Sequence, residues 1–211
     1  MTTVAIIDYG MGNLRSVSKA IEHVAPKARV RLVSDASGIA QADRVVFPGQ
    51  GAIVACMRAL DPPEVRTALL AALRNKPFLG LCLGLQALYE SSEEGGGTPG
   101  LGVLPGKVRR FNFSADRAAL KVPHMGWNQV HQTGAHRLWR GIAQDARFYF
   151  VHSYYADSAD PAGIAGMTEY GVRFTSAAAR ENIFAVQFHP EKSQQAGLQL
   201  LANFVAWGGR A

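Results

Sequence analysis

Residues 4–7, 45–47 and 78–81 form three short runs with no polar side chain, and each is followed at once by a glycine-containing turn. A strand with one wet face alternates apolar and polar residues, whereas a run that is apolar throughout has both faces covered. Such runs read as parallel strands buried between two layers of helix. The segments between them supply the helices. Leu14, Val17, Ile21 and Val24 recur at steps of three and four, which places them on one helix face until Pro26 stops it. Residues 52–60 are an apolar helical stretch, and Val65, Ala68, Leu69, Ala72 and Leu73 make a second stripe. Residues 29–33 alternate as a strand does, and 83–90 read as a further helix. Strand and helix in alternation predict a parallel sheet with helices on both faces.

The second half has a different texture. Residues 91–102 are glycine-rich and turn-like. Strand-like pieces then follow at 103–104, 107–113, 148–155, 172–174 and 183–189, which predicts mixed or antiparallel sheet. Leu198, Leu201, Ala202 and Val205 give a closing amphipathic helix. No repeat and no Pro/Ser-rich linker divides the chain. The expectation is one α/β domain over 1–211, with a mixed, mostly parallel central sheet, helices on both faces and a smaller β-rich addition.

Composition narrows the function classes. At 211 residues with 48% hydrophobic and 18% charged side chains, the chain can bury a core without a metal or disulfide, and wholesale disorder is excluded. The formal net charge of +6 admits an anionic substrate or acidic partner. Its Lys and Arg are scattered, with only short clusters at 107–110 and 137–140, so a nucleic-acid surface is not expected. Two cysteines are too few for a secreted disulfide scaffold. The first residues lack a basic segment and meet Asp8 early, unlike a signal peptide. The longest apolar stretch, 78–89, is broken by Gln86 and falls short of the roughly 20 residues of a membrane span. The expected location is the cytoplasm.

Gly80-Leu81-Cys82-Leu83-Gly84 closes the third run and opens a helical segment. It is the cysteine counterpart of the Gly-x-Ser-x-Gly elbow, which stands a nucleophile on a tight strand-to-helix turn. A helix N-terminus favours thiolate over thiol, and the flanking glycines give the turn room. The amide of Leu83, one residue on, would point at an oxyanion. Cys56 lacks such flanks and reads as a small core hydrophobe.

A nucleophilic thiol needs a base and something to orient it. In Gln187-Phe188-His189-Pro190-Glu191, the proline biases His189 toward extended backbone, where residues i and i+2 share a side. Glu191 can then accept from one ring nitrogen of His189 while the other faces the thiol. A second oxyanion contributor is expected in the turn Pro48-Gly49-Gln50-Gly51, at the carboxyl edge of a parallel strand.

Gly80-Leu81-Cys82-Leu83-Gly84-Leu85-Gln86 and His189-Pro190-Glu191 together resemble the class I (triad) glutamine amidotransferases. Further segments occur in family order: Asp8-Tyr9-Gly10-Met11-Gly12-Asn13, Phe47-Pro48-Gly49-Gln50-Gly51-Ala52, Lys121-Val122-Pro123-His124-Met125-Gly126-Trp127-Asn128, Tyr149-Phe150-Val151-His152-Ser153-Tyr154-Tyr155 and residues 187–193 from Gln187 to Ser193. This set, spread over nearly the whole chain, is similar to the glutaminase subunits of imidazole glycerol phosphate synthases. The Pro-His-Met-Gly-Trp-Asn run is the segment that separates them from other amidotransferases. Gln50 departs from the pattern, since many relatives have Val there.

The resemblance implies a class I glutamine amidotransferase fold and hydrolysis of glutamine to glutamate and ammonia, without cofactor or metal. It implies a heterodimer with a separate cyclase subunit. That partner, built as a (β/α)₈ barrel, uses the ammonia to make imidazole glycerol phosphate and aminoimidazole carboxamide ribotide in histidine biosynthesis. By the same likeness Cys82 is the nucleophile, His189 the base and Glu191 its orienter. Gly49, Gln50, Gly51 and Leu83 form the oxyanion hole, and Gly51, Gln86, Glu94 and Ser153 bind glutamine. Asn13, Met125, Trp127, Tyr149 and Lys192 face the cyclase. Three other readings stand beside this one. They are a class I glutaminase for another acceptor, a γ-glutamyl hydrolase, and an inactive subunit that only binds a partner.

Overall fold

The computed structural model describes residues 1–10, 12–113 and 120–210, so Met11 of the Asp8–Asn13 segment lies outside the described residues. The first half runs β1 (Thr3–Ile7), α1 (Leu14–Val24), β2 (Arg29–Val33), α2 (Ala36–Gln41), β3 (Arg44–Gly49), α3 (Ile53–Ala59), α4 (Pro63–Asn75), β4 (Phe78–Cys82) and α5 (Leu83–Gln86). The second half runs β5 (Tyr89–Ser92), β6 (Thr98–Pro99), β7 (Leu104–Arg110), β8 (His124–Gln129), β9 (His131–Gln132), β10 (Arg147–His152), β11 (Tyr154–Ser158), β12 (Ile164–Tyr170), β13 (Val172–Arg180), β14 (Ile183–Val186) and α6 (Gln194–Ala206).

The apolar runs divide their side chains between two cores. Ala5 and Ile7 of β1, Val45 and Phe47 of β3, Phe78 of β4 and Ile183 and Ala185 of β14 join the core beneath α2, α3 and α4. Val4, Ile6, Val46, Leu79, Leu81, Phe184 and Val186, the alternate residues, join the core beneath α1 and α6. Burial on both faces is the reason these runs carry no polar side chain.

Among the described residues the main sheet runs β2-β1-β3-β4-β14-β13-β11-β7-β5-β6, with β12 on β13 and β9 on β12. β2, β1, β3, β4 and β14 are mutually parallel, and β13 turns the sheet antiparallel. β8 and β10 form a separate antiparallel ribbon. Within the described residues no helix is long and apolar enough to cross a membrane.

Several local expectations change. The helix expected over 83–90 ends at Gln86, and Tyr89 and Glu90 enter β5. The carbonyls of Ala87, Leu88 and Tyr89 accept from the amides of Leu101, Val103, Leu104 and Gly102, so a parallel strand takes over where helix would continue. The strand expected over 148–155 is two strands broken at Ser153, one in each sheet. Short α2 was not expected. Its signal is Asp35, whose carboxylate accepts from the Gly38 amide at 2.7 Å as an N-cap.

Candidate active site

β14 inserts beside β4 in parallel register, so the residues after both strands emerge at the same carboxyl edge. β3 ends there too, with Gly49 paired to Cys82. Three motifs distant in sequence therefore meet at one edge, where α/β proteins build their sites.

Cys82 sits at φ 53°, ψ −104°, a region that costs a side-chain-bearing residue roughly 1–3 kcal/mol. The neighbouring glycines are there because the turn is tight. A Cβ on Gly84 would stand 1.9 Å from the Phe47 carbonyl oxygen, and one on Gly80 would stand 2.8 Å from the Gly84 oxygen. Because α5 is only one turn long, its macrodipole is small. Help for a thiolate must come from individual N–H groups and side chains.

Cys82 is 7% exposed and opens into a cavity of about 430 Å³. Gln50, Gly51, Leu83, Gln86 and Glu94 line it with Cys82, and Pro123, residues 151–154 and Lys192 close the other side. Of the expected oxyanion residues, Gln50, Gly51 and Leu83 reach this cavity and Gly49 does not. Gly49 is buried beneath the elbow, where a Cβ would come 2.5 Å from both Leu83 Cβ and Tyr9 Oη. Gly51 carries φ +99°, which favours glycine.

His189 and Glu191 lie behind the sulfur with side chains 3% and 2% exposed. His189 Nδ1 is 2.9 Å from Glu191 Oε1, while His189 Nε2 and Glu191 Oε2 have no hydrogen-bond partner. The pairing arises differently from the expected extended segment: His189 is extended, but Glu191 lies in a 3₁₀ turn, Pro190–Lys192. Burial disfavours the imidazolium, yet the nearby Cys82 and Glu191 outweigh it and push His189 up to about 10.

Ser193, to which the sequence pattern assigns no role, fixes the backbone here. Its hydroxyl donates to the His189 carbonyl at 2.6 Å and accepts from the Tyr149 amide at 3.0 Å. Gln187 opens the family-like segment Gln187–Ser193 but is likewise given no role by the sequence pattern. Its side chain is fully buried, with Nε2 donating to Cys82 Sγ at 3.6 Å. A lone amide inside the apolar run 183–188 was the available signal, since buried polar groups need partners.

The other expected residues divide by position. Ser153 lies on the cavity wall, and Glu94 does too while its Oε2 accepts from the Ile53 amide at 3.2 Å. Gln86 faces the cavity but commits its amide nitrogen inward, to Tyr154 O and Gln187 Oε1. Met125 and Trp127, 62% and 38% exposed, project outward from the β8–β10 ribbon, where Trp127 and Tyr149 are cross-strand partners. Asn13 opens α1, and the adjoining Gly12 lies against Gln50, a Cβ there being 3.8 Å from its amide. Lys192 reaches the cavity.

Comparison with known proteins points the same way. The family model described as glutamine amidotransferase class-I matches residues 5–207. The imidazole glycerol phosphate synthase subunit HisH of Aromatoleum aromaticum is 61% identical, covering 98% of this chain and 99% of its own. The protein of that name from Nitrosospira multiformis is 58% identical over the same shares. Among solved structures, a Thermoplasma acidophilum protein described as a putative GMP synthase subunit superposes with TM-score 0.72 at 19% identity, covering 98% of this chain and 93% of that one. A glutamine amidotransferase superposes with TM-score 0.71 at 14% identity, covering 97% and 99%. At such identities the superpositions speak for the fold alone.

Proposed function

The chain belongs to the class I glutamine amidotransferase family, and we infer that it is the glutaminase subunit of an imidazole glycerol phosphate synthase, acting in histidine biosynthesis. The Cys82 thiolate attacks the side-chain amide carbon of glutamine, and the carbonyl electron pair moves onto oxygen. N–H groups of Leu83 and of the Gln50–Gly51 turn hold that oxyanion. Collapse of the intermediate expels ammonia, which takes its proton from the His189 imidazolium and leaves a thioester on Cys82. His189, now neutral, removes a proton from water as the water attacks the thioester. Glutamate departs and Cys82 is restored. Glu191 orients the ring and favours its protonated state, while Gly51, Gln86, Glu94 and Ser153 surround the glutamine.

The observation that carries this reading is the buried 2.9 Å contact of His189 Nδ1 with Glu191, which leaves Nε2 without a partner beside Cys82. A group that must exchange its proton with sulfur, ammonia and water in turn needs such a free nitrogen.

The acceptor of ammonia is a separate cyclase subunit. The exposed apolar surface of Val122, Met125 and Trp127 supports docking on the outer face of the ribbon, beside the cavity mouth. Tyr149, paired with Trp127, extends that face, and Asn13 at the start of α1 and Lys192 at the cavity are assigned to the same contact.

The test uses the Cys82→Ala chain in complex with its cyclase. Glutamine-dependent synthesis is lost and synthesis from added ammonia persists. Glutamate release at the wild-type rate would falsify the assignment of the nucleophile.

A further inference from the structure

A set of buried polar groups that the mechanism above does not use joins the ribbon to the nucleophile. His152 Nδ1 lies 2.8 Å from Tyr154 O. A carbonyl only accepts, so Nδ1 carries the proton and Nε2 of the neutral ring must accept. The donor facing Nε2 is His124 Nδ1, at 2.9 Å. His124 Nε2 must then accept as well, and Asn128 Nδ2 stands 3.3 Å from it. The Asn128 amide has one orientation, because Oδ1 accepts from the Gln129 amide and Nδ2 donates to Glu169 O. Burial holds both imidazoles neutral, pushing His124 down to about 4 and His152 to about 3.

The same carbonyl fixes the other half. Gln86 Nε2 donates to Tyr154 O at 2.8 Å, and its second hydrogen meets Gln187 Oε1 at 3.1 Å. Gln187 cannot flip without setting two NH₂ groups against each other. Its own NH₂ is thereby forced to face Cys82 Sγ, at 3.6 Å. Sulfur as a thiolate gains from such a donor, and sulfur as a thiol gains little.

We propose that Gln187 is a positioning residue for the nucleophile, donating to the Cys82 sulfur so as to favour its thiolate. Its orientation is set by Gln86 and the Tyr154 carbonyl, the same carbonyl on which the hydrogen-bond chain from Asn128 through His124 and His152 ends, so that this chain acts on it by polarisation. His124 and Asn128 alternate along β8 with Met125 and Trp127, so the far end of the chain lies directly behind the exposed face of the ribbon. The proposal rests on the reading of Cys82 as the nucleophile.

The experiment follows alkylation of Cys82 by iodoacetamide in the full chain, resolved from buried Cys56 by mass spectrometry, between pH 5 and 9. Gln187→Glu keeps the acceptor that Gln86 needs and removes the donor to sulfur. Gln187→Met removes the donor without adding charge, should the first variant fail to fold. His189, whose charge acts on the sulfur, Glu191 behind it, and Glu94 and Lys192, which share the cavity with Cys82, all stay intact, and Tyr9 is neutral throughout this range. Loss of a hydrogen bond to a charged atom is expected to slow alkylation near pH 6.5 about ten-fold. The difference from wild type narrows as the pH rises and deprotonation ceases to limit alkylation. His124→Phe keeps the ring stacked between Phe150 and Tyr170 and deletes its donor, and is expected to slow alkylation about two-fold in the same pH range. A wild-type pH profile in either folded Gln187 variant overturns the role of Gln187, and one in His124→Phe overturns the chain. Alkylation needs neither glutamine nor cyclase, so these outcomes stand apart from the Cys82→Ala result.

Discussion

Gly84→Ala puts a methyl group where the fold has least room. Its Cβ would lie 1.9 Å from the Phe47 carbonyl oxygen and 3.0 Å from the carbonyl carbon. Close carbon–oxygen contacts sit at about 3.3 Å, so the two backbones must part by more than 1 Å. Phe47 is in buried β3 and Gly84 is in the turn that carries Cys82, and neither can swing aside as a side chain would. Alanine's better helix propensity returns at most about 1 kcal/mol. Overpacking by one methyl group typically costs about 1–3 kcal/mol, and an all-backbone clash belongs at the upper end. The net loss is about 2 kcal/mol, which at an m-value of about 2 kcal/mol/M lowers the urea midpoint by about 1 M. Gly80→Ala is the control. There Cβ would meet the Gly84 oxygen at 2.8 Å and Ala185 Cβ at 3.0 Å, so the neighbours must yield by about half an ångström, less than half the separation needed at Gly84, at about 1 kcal/mol. An elbow displaced by 1 Å also loses about a hundred-fold in glutaminase rate. Urea midpoints and turnover of the cyclase complex read both effects. A Gly84→Ala midpoint equal to wild type, or a larger loss in Gly80→Ala, refutes the steric account.

Two further outcomes follow from the buried ionisable groups. Glu191→Gln removes the charge that supports the His189 imidazolium, and is expected to lower kcat by about ten- to a hundred-fold, as loss of a charged hydrogen bond implies. KM changes little, and a change confined to KM would mean that Glu191 contacts glutamine instead. Stability is expected to fall as pH drops from 6.5 toward 4. In that window the unfolded chain protonates His124, His136 and His152, whereas burial keeps the folded groups neutral down to about 4, 4 and 3 respectively. Urea midpoints measured between pH 7 and 5 should fall less steeply in His124→Phe, and identical slopes would show that folded His124 titrates normally.

Much of the site was legible because it depends on local chemistry. Glycines on both sides of Cys82 announced a turn that tolerates no side chains, and the distances at Gly80 and Gly84 account for both. His189 and Glu191 were legible by spacing alone, although the turn at Pro190 brings them together by a different backbone path from the extended one expected. Gln187 was not legible, because its role depends on a partner from α5 and a carbonyl from β11 that no local pattern connects to it. In the fold, the buried parallel strands showed through their unbroken apolar runs. The helix expected past Gln86 failed because a short apolar segment fits a buried strand equally well, and pairing with β7 decides it. The break at Ser153 was hidden for a similar reason: residues on either side are strand-like, and only the choice of partner, β8 or β7, separates them.

The place of β14 has a consequence for how the molecule must come together. β14, which follows every other described strand in sequence, lies between β4 and β13, in the interior of the sheet rather than at its margin. Until it is in place, each of those neighbours presents one bare row of amides and carbonyls, open to pairing with another chain. A truncated product ending near residue 180 would keep its cysteine and have no histidine to activate it. Sealing the sheet and completing the chemistry are thus one event, because the strand that fills the gap also carries His189 and Glu191 to the cysteine.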